Sequence, residues 1–203
     1  MDTHYFVTCY RPNVTLIDVE AKPVTAIFPS GLRTGATDHA LDAIVFATGC
    51  DAMTGALHRI DIRGRNGVSM QQKWHAAPRT YLGLATTGFP KLSIIIGPGS
   101  PSVLSNMLPS IEQHVNWIGG CINFIRARRI RSIEPTLDAE DAWVAHVNEV
   151  AATTLFYSCN CWYLGAHVPG KPRVFVPYIG VPPKVAKCVA VAVDGYSNFS
   201  LTA

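Results

Sequence analysis

The sequence predicts an α/β fold from three observations. Apolar runs rich in β-branched residues occur near the N-terminus, at Val14–Val19, Val24–Phe28 and Leu41–Phe46. A fourth run, Leu92–Ile96, leads directly into the turn Gly97-Pro98-Gly99-Ser100 and then into a segment with helical periodicity. Further helical patterns follow towards the C-terminus. Strand-like runs of this kind combined with long helical patterns are typical of layered α/β proteins.

The strand predictions differ in kind. Val14–Val19 and Val24–Phe28 are short and bounded by Pro- and Gly-containing turns, which suggests a two-stranded excursion. Leu41–Phe46 is almost continuously apolar, as in a strand covered on both faces. We also expect a short strand at Arg173–Val176.

Three helices are predicted in the second half of the chain. Apolar residues recur at intervals of three and four from Val103 to Arg129, with a kink expected at Pro109. A second helix is predicted from Asp138 to about Phe156, because acidic residues favour a helix N-terminus. The segment Lys184–Val193 is a further helical candidate.

Composition excludes several classes of function. The chain has 203 residues, 48% hydrophobic and 15% charged, with a net charge of +3, which is globular and gives no reason to expect nucleic-acid binding. No apolar stretch is long enough to span a membrane. Polar residues interrupt the N-terminus, so no secretory signal is expected and the six cysteines are interpreted as free thiols of a cytoplasmic protein.

No metal site or hydrolytic motif is predicted. Cys159 and Cys161 have His167 nearby, but a one-residue gap is wrong for a zinc site and no second cysteine pair exists. The seven histidines are scattered without metal-ligand spacing, and there is no Gly-x-Ser-x-Gly elbow.

Two loops could bind a ligand. The turn beginning at Gly97 would let a ligand approach the backbone, and free N–H groups at a helix start attract negative charge, which suits a phosphate or the polar edge of a flavin. The alternative is an ordinary tight turn, because Ser102 stands where the dinucleotide fingerprint has its third glycine. Trp162 and Tyr163 could cover a flat ligand, or Trp162 could simply anchor its loop to the core.

Seven segments, in this order, resemble the Baeyer–Villiger branch of the class B flavoprotein monooxygenases, and together they cover nearly the whole chain. These segments are Asp2-Thr3 with Tyr5-Phe6, Arg11–Asp18, Leu41–Gly55, Ile60–Gly67, Pro78–Leu84, Gly97–Trp117 and Trp162–Pro172.

The resemblance implies an incomplete flavoprotein fold with two dinucleotide-binding domains, one inserted into the other. Residues 1–48 would be the C-terminal end of the NADP-binding domain. Residues 49–132 would be the returning part of the FAD-binding domain, and residues 133–203 a C-terminal region of helices and loops.

The resemblance also implies a function. Family members use NADPH to reduce FAD and insert one oxygen atom from O2 next to a ketone carbonyl, which gives an ester or lactone. When the family's motifs are matched to this sequence, the resemblance implies flavin contacts at Gly97, Gly99, Ser100 and Met107. It also implies an NADP contact at Trp162 and substrate-pocket positions at Ser102, Val103 and Leu104.

The chain departs from the family pattern in ways that bear on activity. Both cofactor fingerprints are missing, and the family's catalytic arginine would lie upstream of Met1, so no catalytic residue is assigned here. Cys50 replaces an aromatic residue, His167 replaces an asparagine, and Val181–Val193 diverges from the usual pattern. We therefore expect a C-terminal piece of a longer enzyme that is inactive alone.

Two alternatives stay open from the sequence. One is a flavin monooxygenase that oxidises nitrogen or sulfur atoms. The other is a non-catalytic remnant that acts as an interaction module. The sequence predicts neither the ketone nor the oligomeric state.

Overall fold

Two compact units make up the chain, Met1–Gly49 and Cys50–Ala203. The computed structural model describes residues 4–51, 53–101, 105–166 and 168–203. The division falls beside the predicted end of the NADP-binding segment at residue 48. Assignment of the units to cofactor domains stays a prediction.

The first unit contains a short helix and a small antiparallel sheet. Helix α1 spans Tyr5–Cys9, and strands β1, β2 and β3 span Val24–Phe28, Gly31–Thr34 and Thr37–Ala40 in the order β1-β2-β3. The turn before β2 requires glycine, because Gly31 has a φ of 154° and a Cβ there would lie 1.9 Å from the carbonyl oxygen of His39.

Of the three strands predicted in this unit, one is confirmed. The structure has a strand at Val24–Phe28, whereas Val14–Val19 and Leu41–Phe46 have no strand pairing. The side chains of Val45 and Phe46 are 87% and 69% exposed. An apolar run becomes a buried strand only when neighbouring strands pair with it, and the sheet described in this unit pairs only β1, β2 and β3.

The second unit is mainly helical. Its helices are α2 (Gly55–His58), α3 (Met70–Lys73), α4 (Met107–Ala127), α5 (Leu137–Ala152) and α6 (Val181–Val193), with a two-stranded antiparallel sheet of β4 (Ser132–Pro135) and β5 (Phe199–Thr202). Single 3-10 turns occur at Arg65–Gly67, Leu155–Ser158 and Trp162–Leu164.

Side-chain caps set the starts of the long helices. The Asn106 side chain accepts the N–H of Leu108 at 3.1 Å, so α4 begins at Met107 instead of Val103. Thr136 caps α5 by accepting the N–H of Ala139 at 3.3 Å. The kink expected at Pro109 is wrong: this residue lies in the first turn, where its missing N–H breaks no helical hydrogen bond.

Two predicted strands of this unit are also wrong. Leu92–Ile96 is irregular, because its amides bond singly to separate residues, such as the Ile94 N–H to the Leu84 carbonyl at 2.8 Å, and form no ladder with another strand. Arg173–Val176 is likewise extended without pairing as a strand. By contrast, the helix predicted at Lys184–Val193 is confirmed as part of α6.

One aromatic core joins the C-terminal region to the segment before it. The indole N–H of Trp117 in α4 donates to the Cys188 carbonyl of α6 at 2.9 Å. The ring centroids of Trp117 and Tyr196 are 5.2 Å apart. Trp143 of α5 packs against Tyr178, with their ring centroids 4.9 Å apart. Residues 50–132 and 133–203 therefore stabilise each other.

A buried carboxylate fixes the segment before the Gly97 turn. Glu140 of α5 is fully buried and accepts hydrogen bonds from the Thr86 hydroxyl at 2.7 Å, the Thr87 N–H at 3.2 Å and the Lys73 ammonium at 2.7 Å. Satisfying a buried charge in this way is what makes its burial tolerable. In the described ranges, no helix is long and apolar enough to cross a membrane.

Candidate functional site

The Gly97 turn uses most of its backbone donors to hold the fold. The N–H of Gly97 donates to the Gly83 carbonyl at 3.1 Å, that of Gly99 to the Val176 carbonyl at 2.7 Å and that of Ser100 to the Gly97 carbonyl at 3.1 Å. These three amides are not free to bind a ligand, contrary to the expectation from the sequence. The glycine-rich turn is first of all a structural turn.

Close packing explains both glycines. A Cβ on Gly97 would lie 2.8 Å from Cγ2 of Ile94, and one on Gly99 would lie 3.1 Å from the indole nitrogen of Trp143. Gly99 also has a φ of 73°, and its carbonyl accepts the Trp143 indole N–H at 3.2 Å. A side chain at either position would push α5 or the preceding segment away from the turn.

Two polar groups at this turn lack a partner among the residues that the structure describes. The Ser100 hydroxyl is buried and has no hydrogen-bond partner there. The Met107 N–H, at the first position of the 21-residue helix α4, likewise has no acceptor there. An unsatisfied amide at the start of a long helix attracts a negatively charged or electron-rich ligand group.

In the sequence, the residues expected to line a substrate pocket come between Ser100 and Met107. Ser102, Val103 and Leu104 lie outside the described residues. Their assignment to the pocket stays a prediction.

A buried histidine supports the turn from behind. His114 is fully buried, and its Nδ1 accepts the Ile96 N–H at 3.0 Å. Ile96 has a φ of 54°, a conformation that is strained for a β-branched residue and therefore needs such support. Burial lowers the pKa of His114 to about 3, so the ring is neutral at pH 7.

Lys184 of α6 completes this cluster. It is fully buried, and its Nζ contacts Nε2 of His114. Because Nδ1 of the ring accepts the Ile96 N–H, the neutral ring carries its proton on Nε2, and the lysine accepts that proton only in its neutral form, above its pKa. Burial lowers the Lys184 pKa to about 8, in the same direction. Sequence reasoning missed this pair, because His114 and Lys184 are 70 positions apart.

The Trp162 loop, which we define as residues 159–180 before α6, is tied to the segment that follows Gly49. The Trp162 indole donates to the Cys50 carbonyl at 2.9 Å, and Lys171 donates to the Asp51 carboxylate and, at 2.9 Å, to the Thr54 hydroxyl. The anchoring role that the sequence left open for Trp162 is thus observed. Its contact with NADP stays a prediction.

The cysteine pair of this loop shows no metal-binding arrangement. Cys159 and Cys161 are free thiols, and the structure contains no cluster of metal-ligand residues in its described ranges. His167 lies outside those ranges.

The curated proteins similar to this chain are named as monooxygenases, although no family model matches it. An acetone monooxygenase (methyl acetate-forming) of Gordonia sp. strain TY-5 is 40% identical over the whole chain. A Baeyer–Villiger monooxygenase of Pseudooceanicola batsensis is 39% identical over 96% of the chain. The phenazine N-monooxygenase PhzNO1 of Lysobacter antibioticus is 38% identical over 97%. The chain spans 36% to 38% of the length of these relatives.

Solved structures agree with the sequence matches. The whole chain superposes on a segment that makes up 38% of a cyclohexanone monooxygenase in its closed crystal structure. The TM-score is 0.92 and the sequence identity 36%. The chain is similar to 37% of the OTEMO chain in a complex with FAD and NADP, with a TM-score of 0.87 and 34% identity. By sequence and by fold, the chain is homologous to a part of the Baeyer–Villiger monooxygenases, the family that its motifs predict.

Proposed function

We propose that this chain serves as part of an FAD- and NADPH-dependent monooxygenase. The enzyme would insert one oxygen atom from O2 next to the carbonyl of a small-molecule ketone and release an ester or lactone. The names of the relatives support this reaction class, and the complex of OTEMO with FAD and NADP supports the two cofactors. The chain would supply one wall of the flavin site and the Trp162 loop.

The observation that carries this proposal is that the Met107 N–H has no acceptor among the residues that the structure describes. A bound flavin supplies the redox chemistry, and its pyrimidine ring is electron-rich at the carbonyl edge, most of all when reduced. The Met107 N–H and the positive end of the α4 dipole would stabilise that edge. The buried Ser100 hydroxyl would satisfy its hydrogen bond on the same ligand. Both groups fit a flavin.

The amide bonds of the turn assign a different role to Gly97 and Gly99. Their N–H groups are engaged, so they would shape the turn and let the flavin approach it without donating to it. Trp162 would contact NADP through its ring, because its N–H already bonds to the Cys50 carbonyl. Ser102, Val103 and Leu104, between the two unsatisfied groups, would face the ketone.

A second reaction is favoured by one observation. The Lysobacter relative is named as an N-monooxygenase and is almost as similar as the acetone monooxygenase, 38% against 40% identical. Oxygen transfer to a ring nitrogen is therefore the second candidate.

Product analysis separates the two candidates. The chain would replace the corresponding segment of the Gordonia acetone monooxygenase, and the purified chimera would be given FAD, NADPH and oxygen-18-labelled O2 with either a ketone or phenazine. We expect labelled ester from the ketone. Labelled N-oxide with no ester would favour the second candidate, and a flavin-loaded chimera that makes neither would contradict both.

A further inference from the structure

A cavity of about 360 Å3 lies beside the Trp162 loop, apart from the Gly97 turn. We name it the His58 cavity. Its walls come from α2, from α3 with the turn that follows, and from residues 168–172 of the loop, together with Val176. None of the described residues of the segment 97–107 lines it. Its volume is within the range of about 300–1,000 Å3 typical of small-molecule sites.

The cavity presents apolar walls and one unsatisfied polar atom. Ala77, Pro78, Val168 and Pro172 contribute apolar surface. Nε2 of His58 is buried and has no hydrogen-bond partner in the described part of the chain. A buried polar atom without a partner destabilises the protein, so a ligand that bonds to it gains binding energy.

The charged groups of the cavity are already paired. Lys171 donates to the Asp51 carboxylate and the Thr54 hydroxyl, so neither a free cation nor a free anion is offered by that pair. Burial lowers the pKa of His58 by more than the Asp51 charge raises it, and the Lys171 charge lowers it a little further, so the neutral imidazole predominates at pH 7. A neutral ligand with one hydrogen-bonding oxygen fits this environment better than an ion.

The loop closes one side of the cavity. Residues 168–172 form this wall, and Lys171 within them donates to Asp51, a lining residue outside the loop. A ligand that contacts both sides binds only the docked loop, and therefore stabilises docking by linkage.

We propose that the His58 cavity binds a small, neutral, mainly apolar carbonyl compound through Nε2 of His58, and that this binding holds the Trp162 loop in its docked position. The site would be a second small-molecule site, separate from the flavin-side turn. It goes beyond the proposed function, because it requires neither FAD nor oxygen transfer.

Calorimetric titration of the 203-residue chain with 4-phenyl-2-butanone tests binding, without FAD or NADPH. We expect saturable binding of one equivalent. His58→Phe keeps a ring and removes the nitrogen, so affinity should fall about tenfold, which is typical of one lost hydrogen bond. Ala77→Phe fills the cavity and should abolish binding. His39→Phe, in the first unit, is the matched control and should change nothing.

Trypsin cleavage after Arg173 reports loop docking independently. The ketone at nine times its dissociation constant should slow cleavage about tenfold, because only the undocked loop is cut. Lys171→Met should speed cleavage and weaken ketone binding together. Circular dichroism checks the fold of each variant, and if Ala77→Phe does not fold, the other variants decide.

The contrary results are specific. Absence of saturable binding, or binding that neither His58→Phe nor Lys171→Met weakens, overturns the proposal. These outcomes leave the flavin function intact, since the chimera is tested separately. Conversely, ketone binding by the chain together with an inactive, flavin-loaded chimera would contradict the proposed function and support this site.

Discussion

Replacing the buried lysine of α6 by methionine should stabilise the second unit at neutral pH. Lys184 is fully buried against His114, and its pKa falls from 10.5 to about 8 because of that burial. At about 1.4 kcal/mol for each pH unit, this lowering corresponds to about 3 kcal/mol of lost stability below pH 8. Methionine has a side chain of similar length to that of lysine but no amine. The substitution costs about 1 kcal/mol for the lost hydrogen bond. The expected net gain for Lys184→Met is about 2 kcal/mol.

The pH dependence gives this prediction its sign. The folded pKa lies below the unfolded one, so wild-type stability rises as pH increases from about 8 to 10.5, where the unfolded lysine also loses its proton. The advantage of Lys184→Met should therefore be complete below pH 8 and be lost by pH 10.5, where only the cost of about 1 kcal/mol for the lost hydrogen bond remains. Urea unfolding at pH 7 and 10.5, followed by circular dichroism, measures it. Lys187→Met, on the exposed side of the same helix, is the control. A variant less stable than wild type at pH 7 would refute the reasoning.

Three further predictions concern the buried network and the loop. Glu140→Gln should lower the free energy of unfolding by about 3 kcal/mol, because the amide oxygen can still accept from Thr86 and Thr87 but the Lys73 ammonium loses its charged partner. Asp141→Asn, at a half-exposed carboxylate, should cost less than about 1 kcal/mol in the same urea titration. The pKa of His114 is about 3 in the folded state against 6.5 in the unfolded state. The unfolded state therefore takes up a proton first, and the free energy of unfolding should fall as pH falls from 6.5 towards 3. His114→Asn, which keeps an acceptor near the Nδ1 position, should lose that dependence in acid unfolding curves, and an unchanged curve would contradict it. Trp162→Phe should speed trypsin cleavage after Arg173 about fivefold through loss of one hydrogen bond, and no change would exclude anchoring by the indole N–H.

Helices were predictable from the sequence because their signals are local. Periodic apolar residues and capping side chains act within a few positions, so α4, α5 and α6 were found with errors only at their ends. The start of α4 differs from the predicted Val103 because the apolar pattern continues upstream of the Asn106 cap, which sets the first turn at Met107.

Strands were predicted less well because pairing is not local. Leu41–Phe46 and Leu92–Ile96 have the composition of buried strands, but each needs a partner strand that composition cannot specify. Only Val24–Phe28, which pairs with the strand next to it in the chain, was found.

The candidate site was predicted in position but not in detail. The turn at Gly97 was identified, yet its amides turned out to serve Gly83 and Val176, contacts that the sequence does not show. The Lys184–His114 pair and the His58 cavity were missed for the same reason, since each joins segments far apart in the chain. No local motif marks either of them.

Flavin affinity of the chimera, with Met107 replaced by proline, tests the central claim most directly. Proline is tolerated at the first helical position and removes only the N–H, so α4 should persist while the flavin contact is lost. Fluorescence titration with FAD should show affinity about five- to tenfold weaker for Met107→Pro, and within about twofold of wild type for Met107→Leu, which keeps the amide. Equal FAD affinity in all three proteins would contradict a flavin contact at the start of α4.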